Sequence, residues 1–578
     1  MFQPLILLFS VLNFLNLTSV PAGGEKYPTH DFRSPIDFPV NLSGSFGEIR
    51  QNHFHSGIDI RTEGVEGKPV YAVADGYIAR VFVSPWGFGK ALYVNHSNGY
   101  TSVYGHLKSF SGPVKGWVRD QQYKLESFAL DKELTQGLIK VKKGEIIAYT
   151  GNSGSSGGPH LHFEIRDSKT QETIDPLKFG LMAPDALPPQ ISCIKIYPLD
   201  ENSLVNFANK QILIPVTGSN GNFRLTTAGT ISVSGNIIFG IEAKDQPVGK
   251  GFKTGVSSIH LFVDGKPIFE QLVERFAFSQ TRYVNSLMDY PAYLKNRRKI
   301  QRSYVAPNNK LNIYGLVVDR GIQHFSDKKA HEIRYDVEDV FGNTARLKFM
   351  VKSHPLPGKG GRPETPSQTG DQFFTCEGKN VFTRSDVCLT VPGNALYENL
   401  AFEYFSSPSI PGTISRIHHL HNIYTPLQTY CTLSIKIDQL SSSLTGKAVI
   451  VELDAENHKI SKGGEFQDGF ITTQIRNFSN YAVAVDTVSP VVRPVNCFPN
   501  KKVANQYNIR IKISDNLSGI KSYRGTLNGN WILMDYDAKK NMLSYSFDER
   551  MKKGKNIFKL VVTDAVGNST RYEATLIR

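Results

Sequence analysis

No cysteine occurs before residue 193; the five in this 578-residue chain are Cys193, Cys376, Cys388, Cys431 and Cys497. A metal site in the first third must therefore use histidines and carboxylates rather than thiolates. Long amphipathic helical patterns are also scarce, whereas glycine, proline, tyrosine and phenylalanine are plentiful, which points to β-rich domains. Beyond the first stretch, "MFQPLILLFSVLNFLNLTSVPAGG", no segment is long and apolar enough to span a bilayer. That first run lacks Lys and Arg, is interrupted by Asn13 and Asn16, and ends in the small-residue pattern Val20-Pro21-Ala22. It reads as a signal peptide over 1–22, which leaves no integral membrane segment after cleavage. No cysteine follows it, which argues against a lipid anchor. An exported chain, whether periplasmic, cell-surface or secreted, is a poor partner for nucleic acid. Export also permits disulfides such as Cys376–Cys388, and an odd count leaves at least one thiol without a partner in the chain.

A chain of this length is expected to hold roughly three to five domains. Pro- and Gly-rich punctuation at 184–192, 353–372 and 486–494 divides it. The expected units are a domain over 23–184, a β domain over 185–353, a linker over 354–372, a β-rich domain over 373–486 and a β domain over 487–578. The second and last units are related. One closes with Asp339-Val-Phe-Gly-Asn343, the other with Asp564-Ala-Val-Gly-Asn568, each a turn between alternating apolar strands. Both resemble bacterial immunoglobulin-like sandwiches. In the first copy the charge run "LKNRRKIQRSYV" (294–305) reads as a solvated insertion. The net charge is +14, and residues 487–578 carry 16 Lys and Arg against 7 Asp and Glu. Such a balance suits an anionic surface such as a cell wall, and equally a merely soluble basic domain.

Chemistry concentrates in the first domain. "GNSGSSGGPHLHFEIRD" contains the G-x-S-x-G pattern at 154–158, but an alternating strand pattern follows where a serine hydrolase needs a helix. On that strand His160, His162 and Glu164 share one face, with Leu161, Phe163 and Ile165 behind. Glu164 is open to two readings, a partner that fixes an imidazole or a surface ion pair. In "NHFHSGIDIRT", a straight strand would hold the Cα atoms of His55 and Asp59 about 13 Å apart, too far to share one ion. A bend is required, and Gly57 permits it. His53 is at best groove lining. In "GYTSVYGHL", Tyr104 and His106 are two apart on a strand pattern. A second H-x-H, His419 and His421, has no partnering H-x-x-x-D nearby and reads as a histidine-rich loop or strand edge.

In combination and in this order, these motifs resemble the lysostaphin/LytM-type zinc metalloendopeptidases, over about residues 40–180. The resemblance implies a mainly β chain, with an antiparallel β peptidase domain followed by β-sandwich domains. It makes His55, Asp59 and His162 the ligands of one Zn2+, and His106 and His160 catalytic histidines outside the ligand set. It further implies hydrolysis of peptide bonds in peptidoglycan, stem-peptide cross-links or bridges, by a zinc-activated water. Because some relatives bind or activate other wall hydrolases without catalysis, a non-catalytic adaptor is the alternative. One departure from the family is the insertion at 108–137, with Trp117 and a helix-like stretch; long loops of this kind often serve as lids.

Overall fold

Alternation along His160–Asp167 builds the first sheet, because Leu161, Phe163 and Ile165 are completely buried on its core face. The computed structural model describes residues 27–182, 186–227, 229–246, 254–356, 370–438 and 440–578. The signal-peptide segment and most of the 354–372 linker lie outside the described residues. The main sheet of the first unit has seven strands on its path: β1 (Leu42–Gly44), β2 (Ile58–Arg61), β3 (Gly76–Val83), β4 (Lys90–His96), β5 (Tyr100–Gly105), β6 (Leu130–Glu133) and β7 (His160–Asp167). They lie antiparallel in the order β1-β2-β7-β5-β4-β3-β6. The register sets Asp59 of β2 and Gly105 of β5 on either side of His162 in β7. Three motifs far apart in sequence thereby meet in the middle of one sheet.

The insertion is not a free lid. Pro113 near its start favours a helix over α1 (Gly112–Leu125), whose Val114 and Val118 enter the core of the unit. The chain then returns as β6 and pairs with β3, so both ends of the insertion belong to the domain.

The remaining units are also β-rich, and the chain is mainly β. In the second, strands Ile231–Lys244, Ser258–Val263, Ala330–Glu338 and Thr344–Ser353 surround a core that includes Phe239, Leu261, Tyr335 and Leu347. The charge run at 294–305 is only partly solvated, contrary to its reading as a solvated insertion. Lys295, Asn296 and Arg297 are exposed, but Gln301 and Arg302 pair with Ile241 and Gly240, and Ile300, Ser303 and Tyr304 are buried. Strand pairing and the apolar residues between the charges override the run's overall polarity.

Residues 370–486 form two five-stranded sheets around one core, and 487–578 pack a four-stranded against a five-stranded sheet. The two related turns have the same internal chemistry. Asp339 Oδ1 accepts from the amides of Phe341 and Asn343, and Oδ2 from Asn343 Nδ2 at 2.7 Å. Asp564 repeats this with Val566 and Asn568, again at 2.7 Å for the side-chain bond. All five cysteines are thiols, so Cys376 and Cys388 do not pair. Cys376 fills the core of its sandwich instead, while Cys388 sits on a strand opposite Ser434.

The units are joined by real packing. The segment Arg275–Phe276 of the second unit adds to the first unit's sheet through Thr173–Ile174. Phe276 stacks on Phe46 at 4.9 Å between centroids and also meets Phe54 at 5.4 Å, while Thr281 Oγ1 accepts from the Phe54 amide at 2.7 Å. The turn that leads into His55 is thus propped from outside its own domain. Phe276→Ala should cost about 3–5 kcal/mol and speed amide exchange across 49–56 in the full chain; unchanged exchange there would contradict this support.

Candidate metal centre

Asp59 organises the centre. Its Oδ1 lies 3.0 Å from His55 Nε2 and 2.9 Å from His162 Nδ1, and those two nitrogens are 3.0 Å apart. Its Oδ2 accepts from Arg50 Nη2 at 2.7 Å. Each imidazole is oriented by a partner at its far nitrogen. His55 Nδ1 faces the Ser45 carbonyl at 2.8 Å, and His162 Nε2 faces Glu164 Oε1 at 2.9 Å. In the neutral ring, an N–H donated outward in this way leaves the inner nitrogen with its lone pair.

These three residues are buried, with exposures of 3–5%. Two imidazole nitrogens and one carboxylate oxygen converging within about 3 Å are what zinc ligands at about 2.0–2.2 Å need. The charge balance agrees. Burial alone would lower the His162 pKa, yet the Asp59 and Glu164 carboxylates outweigh it and push the ring up to about 9. The His55 ring, by contrast, is held below the ordinary imidazole value by its burial. Burial opposes ionisation of Glu164 as well, but Arg166 and then His162 and Ser56 hold its carboxyl down at about 2. Glu164 is fully buried and bonded to Ser56 Oγ and Arg166, so the surface ion-pair reading is overturned.

The local backbone explains the spacings. Strand pairing is interrupted at 55–57, and the chain bends at Gly57 before β2 begins. Gly57 is required for proximity more than for an unusual φ: a Cβ there would lie 2.2 Å from the Phe163 carbonyl oxygen. His53 is exposed, its Nδ1 faces the Gln51 carbonyl at 2.9 Å, and it is not one of the three clustered residues.

His106 does not share a strand face with Tyr104, as the two-residue spacing suggested. β5 ends at Gly105, and His106 adopts a left-handed conformation with φ +57. The Tyr104 ring is buried on the core side, its hydroxyl accepting from the Val73 amide, while His106 is swung to the cleft. Such a conformation in a non-glycine residue is costly and often marks a functional position. The His106 ring lies 4.8 Å from His160 and 5.8 Å from His162, centroid to centroid. Burial, and then the two neighbouring imidazoles, push its pKa down to about 3. His160 Nε2 is 3.4 Å from Asp59 Oδ1.

Both of these histidines hang on the glycine-rich loop. His106 Nδ1 faces the Ser153 carbonyl at 2.9 Å, and His160 Nδ1 faces the Gly158 carbonyl at 2.8 Å and Ser156 Oγ at 3.2 Å. The second H-x-H pair is elsewhere and otherwise engaged. His419 stacks on Phe405 and contacts Ser407 and Asn480, and His421 contacts Thr425. Neither belongs to a group of three potential metal ligands among the described residues. Arg50, Ser45 and Arg166 escaped the sequence reading. Arg50 had one available signal, a lone cation just before the turn that leads into His55.

Residues 53–124 and 120–176 match the model described as peptidase family M23. The first unit is an M23 peptidase domain. Residues 371–486 match the Zu5-like domain model. Similar curated proteins include an uncharacterized metalloprotease of Haemophilus influenzae, 31% identical over 25% of this chain and 26% of its own length. The DD-carboxypeptidase/endopeptidase Mpg of Neisseria meningitidis serogroup B is 31% identical over 23% of this chain and 24% of its own. The murein hydrolase activator NlpD of Salmonella dublin is 28% identical over 28% of this chain and 33% of its own. The chain thus spans only a quarter to a third of the length of these relatives.

The outward partners of the three candidate ligands give a direct test of the site. Glu164→Gln keeps the size of the side chain and removes its charge, and should weaken zinc affinity about 10- to 100-fold. A competition titration against a chromogenic chelator reads this; an affinity equal to wild type would contradict the role given to Glu164.

Proposed function

We propose that the chain is an exported zinc endopeptidase that cuts peptide bonds in peptidoglycan, with the M23 domain as its catalytic part. The carrying observation is the convergence of five side chains. His55, Asp59 and His162 would hold the metal, and His106 and His160 stand beside them without belonging to the set. When bound, zinc would supply Lewis acidity, polarising a peptide carbonyl and lowering the pKa of a water.

The protein's own groups do the rest. Each of His106 and His160 gives its Nδ1 proton to a loop carbonyl, which leaves Nε2 as the nitrogen that can exchange a further proton; that of His160 lies 3.4 Å from Asp59 Oδ1. Side by side, they can take a proton from the attacking water and return it to the leaving amine. Arg50 holds Asp59 through its second oxygen, and Glu164 holds His162, so neither ligand can rotate away. The peptide would lie along the glycine-rich loop, where a Cβ at Gly157 or Gly158 would meet nothing within 4 Å. Those glycines face open space and let a backbone approach.

The substrate class comes from the relatives, one of which is named a DD-carboxypeptidase/endopeptidase. Another is named an activator, which keeps the adaptor reading in play. The complete set of five residues favours the enzyme. Among the described residues no helix is long and apolar enough to cross a membrane.

Purified protein incubated with intact sacculi and zinc should release or shorten cross-linked muropeptides, seen by mass spectrometry. His160→Ala should lower the rate by about 10²–10⁴-fold while retaining one zinc per chain. Gly157→Phe should depress kcat/KM with zinc affinity unchanged. No product from a zinc-loaded wild type would overturn the peptidase reading in favour of the adaptor.

A further inference from the structure

The C-terminal unit, the last 92 residues of the chain, returns to the M23 domain and reaches the loop that carries the catalytic machinery. Its main platform is the insertion. Tyr123 of α1 packs edge-on against Trp531 at 5.2 Å, sits under the Arg550 guanidinium at 3.9 Å and bonds Asp548. Arg119 pairs with Glu549, and Lys90 with Asp535 at 2.8 Å. Tyr523, Leu533 and Tyr536 add an apolar contact against the core of the M23 domain. The docking is therefore both apolar and charged, and it places one particular side chain.

Lys539 sits on the turn between strands Asp535–Asp537 and Met542–Ser546. Its Nζ donates to the Asn152 carbonyl, to Asn152 Oδ1 at 3.0 Å and to the Ser156 carbonyl at 3.0 Å. It closes the neck of the glycine-rich loop across nearly four hundred residues of sequence.

The two halves of that loop differ in how they are held. The first half is fastened within the M23 domain. Ser153 Oγ bonds Leu107 O and the Lys90 amide, the Ser155 amide donates to Gly87 O, and Gly154 packs so tightly on Gly89 that a Cβ would lie 2.3 Å from its nitrogen. The second half, 156–158, contains the two open glycines and the two atoms that hold His160 Nδ1. Lys539 supplies its anchor from outside.

We propose that Lys539 is a positioning residue for the peptidase reaction, reaching from the C-terminal unit to hold Ser156 and, through it, the ring of His160. This rests on the reading of His160 as a catalytic histidine. It gives the insertion and the C-terminal unit one shared purpose: α1 is the platform, and the turn at 538–541 is the finger that sets the loop. Lys539 is exposed and makes no contribution to a core, so its removal should leave the fold intact.

Two readouts on the full chain separate this inference from the peptidase reading. In Lys539→Ala, amide exchange across 155–159 should quicken while exchange across 508–514, in the sandwich of the C-terminal unit, stays as in wild type. With sacculi as substrate, kcat should fall about 10- to 100-fold and KM change less than about threefold, with zinc affinity unchanged. Lys539→Arg, which can still donate to carbonyl oxygens, should recover most of both effects. Lys540→Ala, one residue along on the same turn, should behave as wild type. Exchange in Lys539→Ala equal to wild type would overturn the proposal whether or not the protein cuts peptidoglycan. A rise in turnover would overturn it as well, because the contact would then be a restraint. An inactive wild type whose Lys539→Ala loop nevertheless loosens would leave the positioning contact standing and remove the peptidase reading alone.

Discussion

One carboxylate governs the geometry of the centre. Asp59 draws three imidazoles towards Oδ1 and an arginine onto Oδ2, in a setting only 5% exposed. A buried carboxylate carries a large desolvation cost unless it is bonded and charge-compensated. Here the compensation comes from residues on separate strands. Their pairing register, Asp59 against His162 and His162 against Gly105, is fixed by the apolar face behind them. A slip of one residue would turn His160, His162 and Glu164 into the core. The hydrophobic pattern and the chemistry thus specify each other.

The centre is also braced from outside its own domain. The hairpin before His55 leans on Phe276 and Thr281 of the second unit, and the loop behind His160 meets Lys539 of the last. Binding and catalytic groups work best when their supporting shell is rigid. The flanking β units meet the supports of the site on two sides, at the turn before His55 and at the glycine-rich loop.

Part of the site was legible in short-range periodicity, while the choice of ligands and catalytic histidines came from the family resemblance. Two-residue alternation put His160, His162 and Glu164 on one face, and the length of an extended segment required a bend between His55 and Asp59. The same rule failed at His106, where a left-handed residue ends the strand and changes the direction of the side chain. Alternation assumes extended backbone, and nothing in "YGHL" announces the exception. The charge run at 294–305 misled for a related reason, since Ile300 and Tyr304 bury and Arg302 between them is bonded to the Ser286 carbonyl, while only Lys295 to Arg297 are exposed. Arg50, Ser45 and Lys539 act through contacts that depend on turn geometry or domain docking. Such contacts leave no periodic trace, and the partners of Lys539 lie nearly four hundred residues away. Pairing of Cys376 with Cys388 was chemically reasonable, but Cys376 is buried in a bend after strand Gln372–Phe374 and Cys388 is half-buried on strand Val387–Val391.

The central claim is that one buried His-Asp-His centre holds a single zinc. Metal analysis of the purified full chain after dialysis against trace zinc tests it most directly, with Asp59→Ala and Asp454→Ala run alongside. Asp454 belongs to an exposed group with Glu456 and His458 that could also attract an ion. One zinc per chain is expected in the wild type and in Asp454→Ala, and none in Asp59→Ala. Zinc retained in Asp59→Ala, or lost with Asp454, would contradict it.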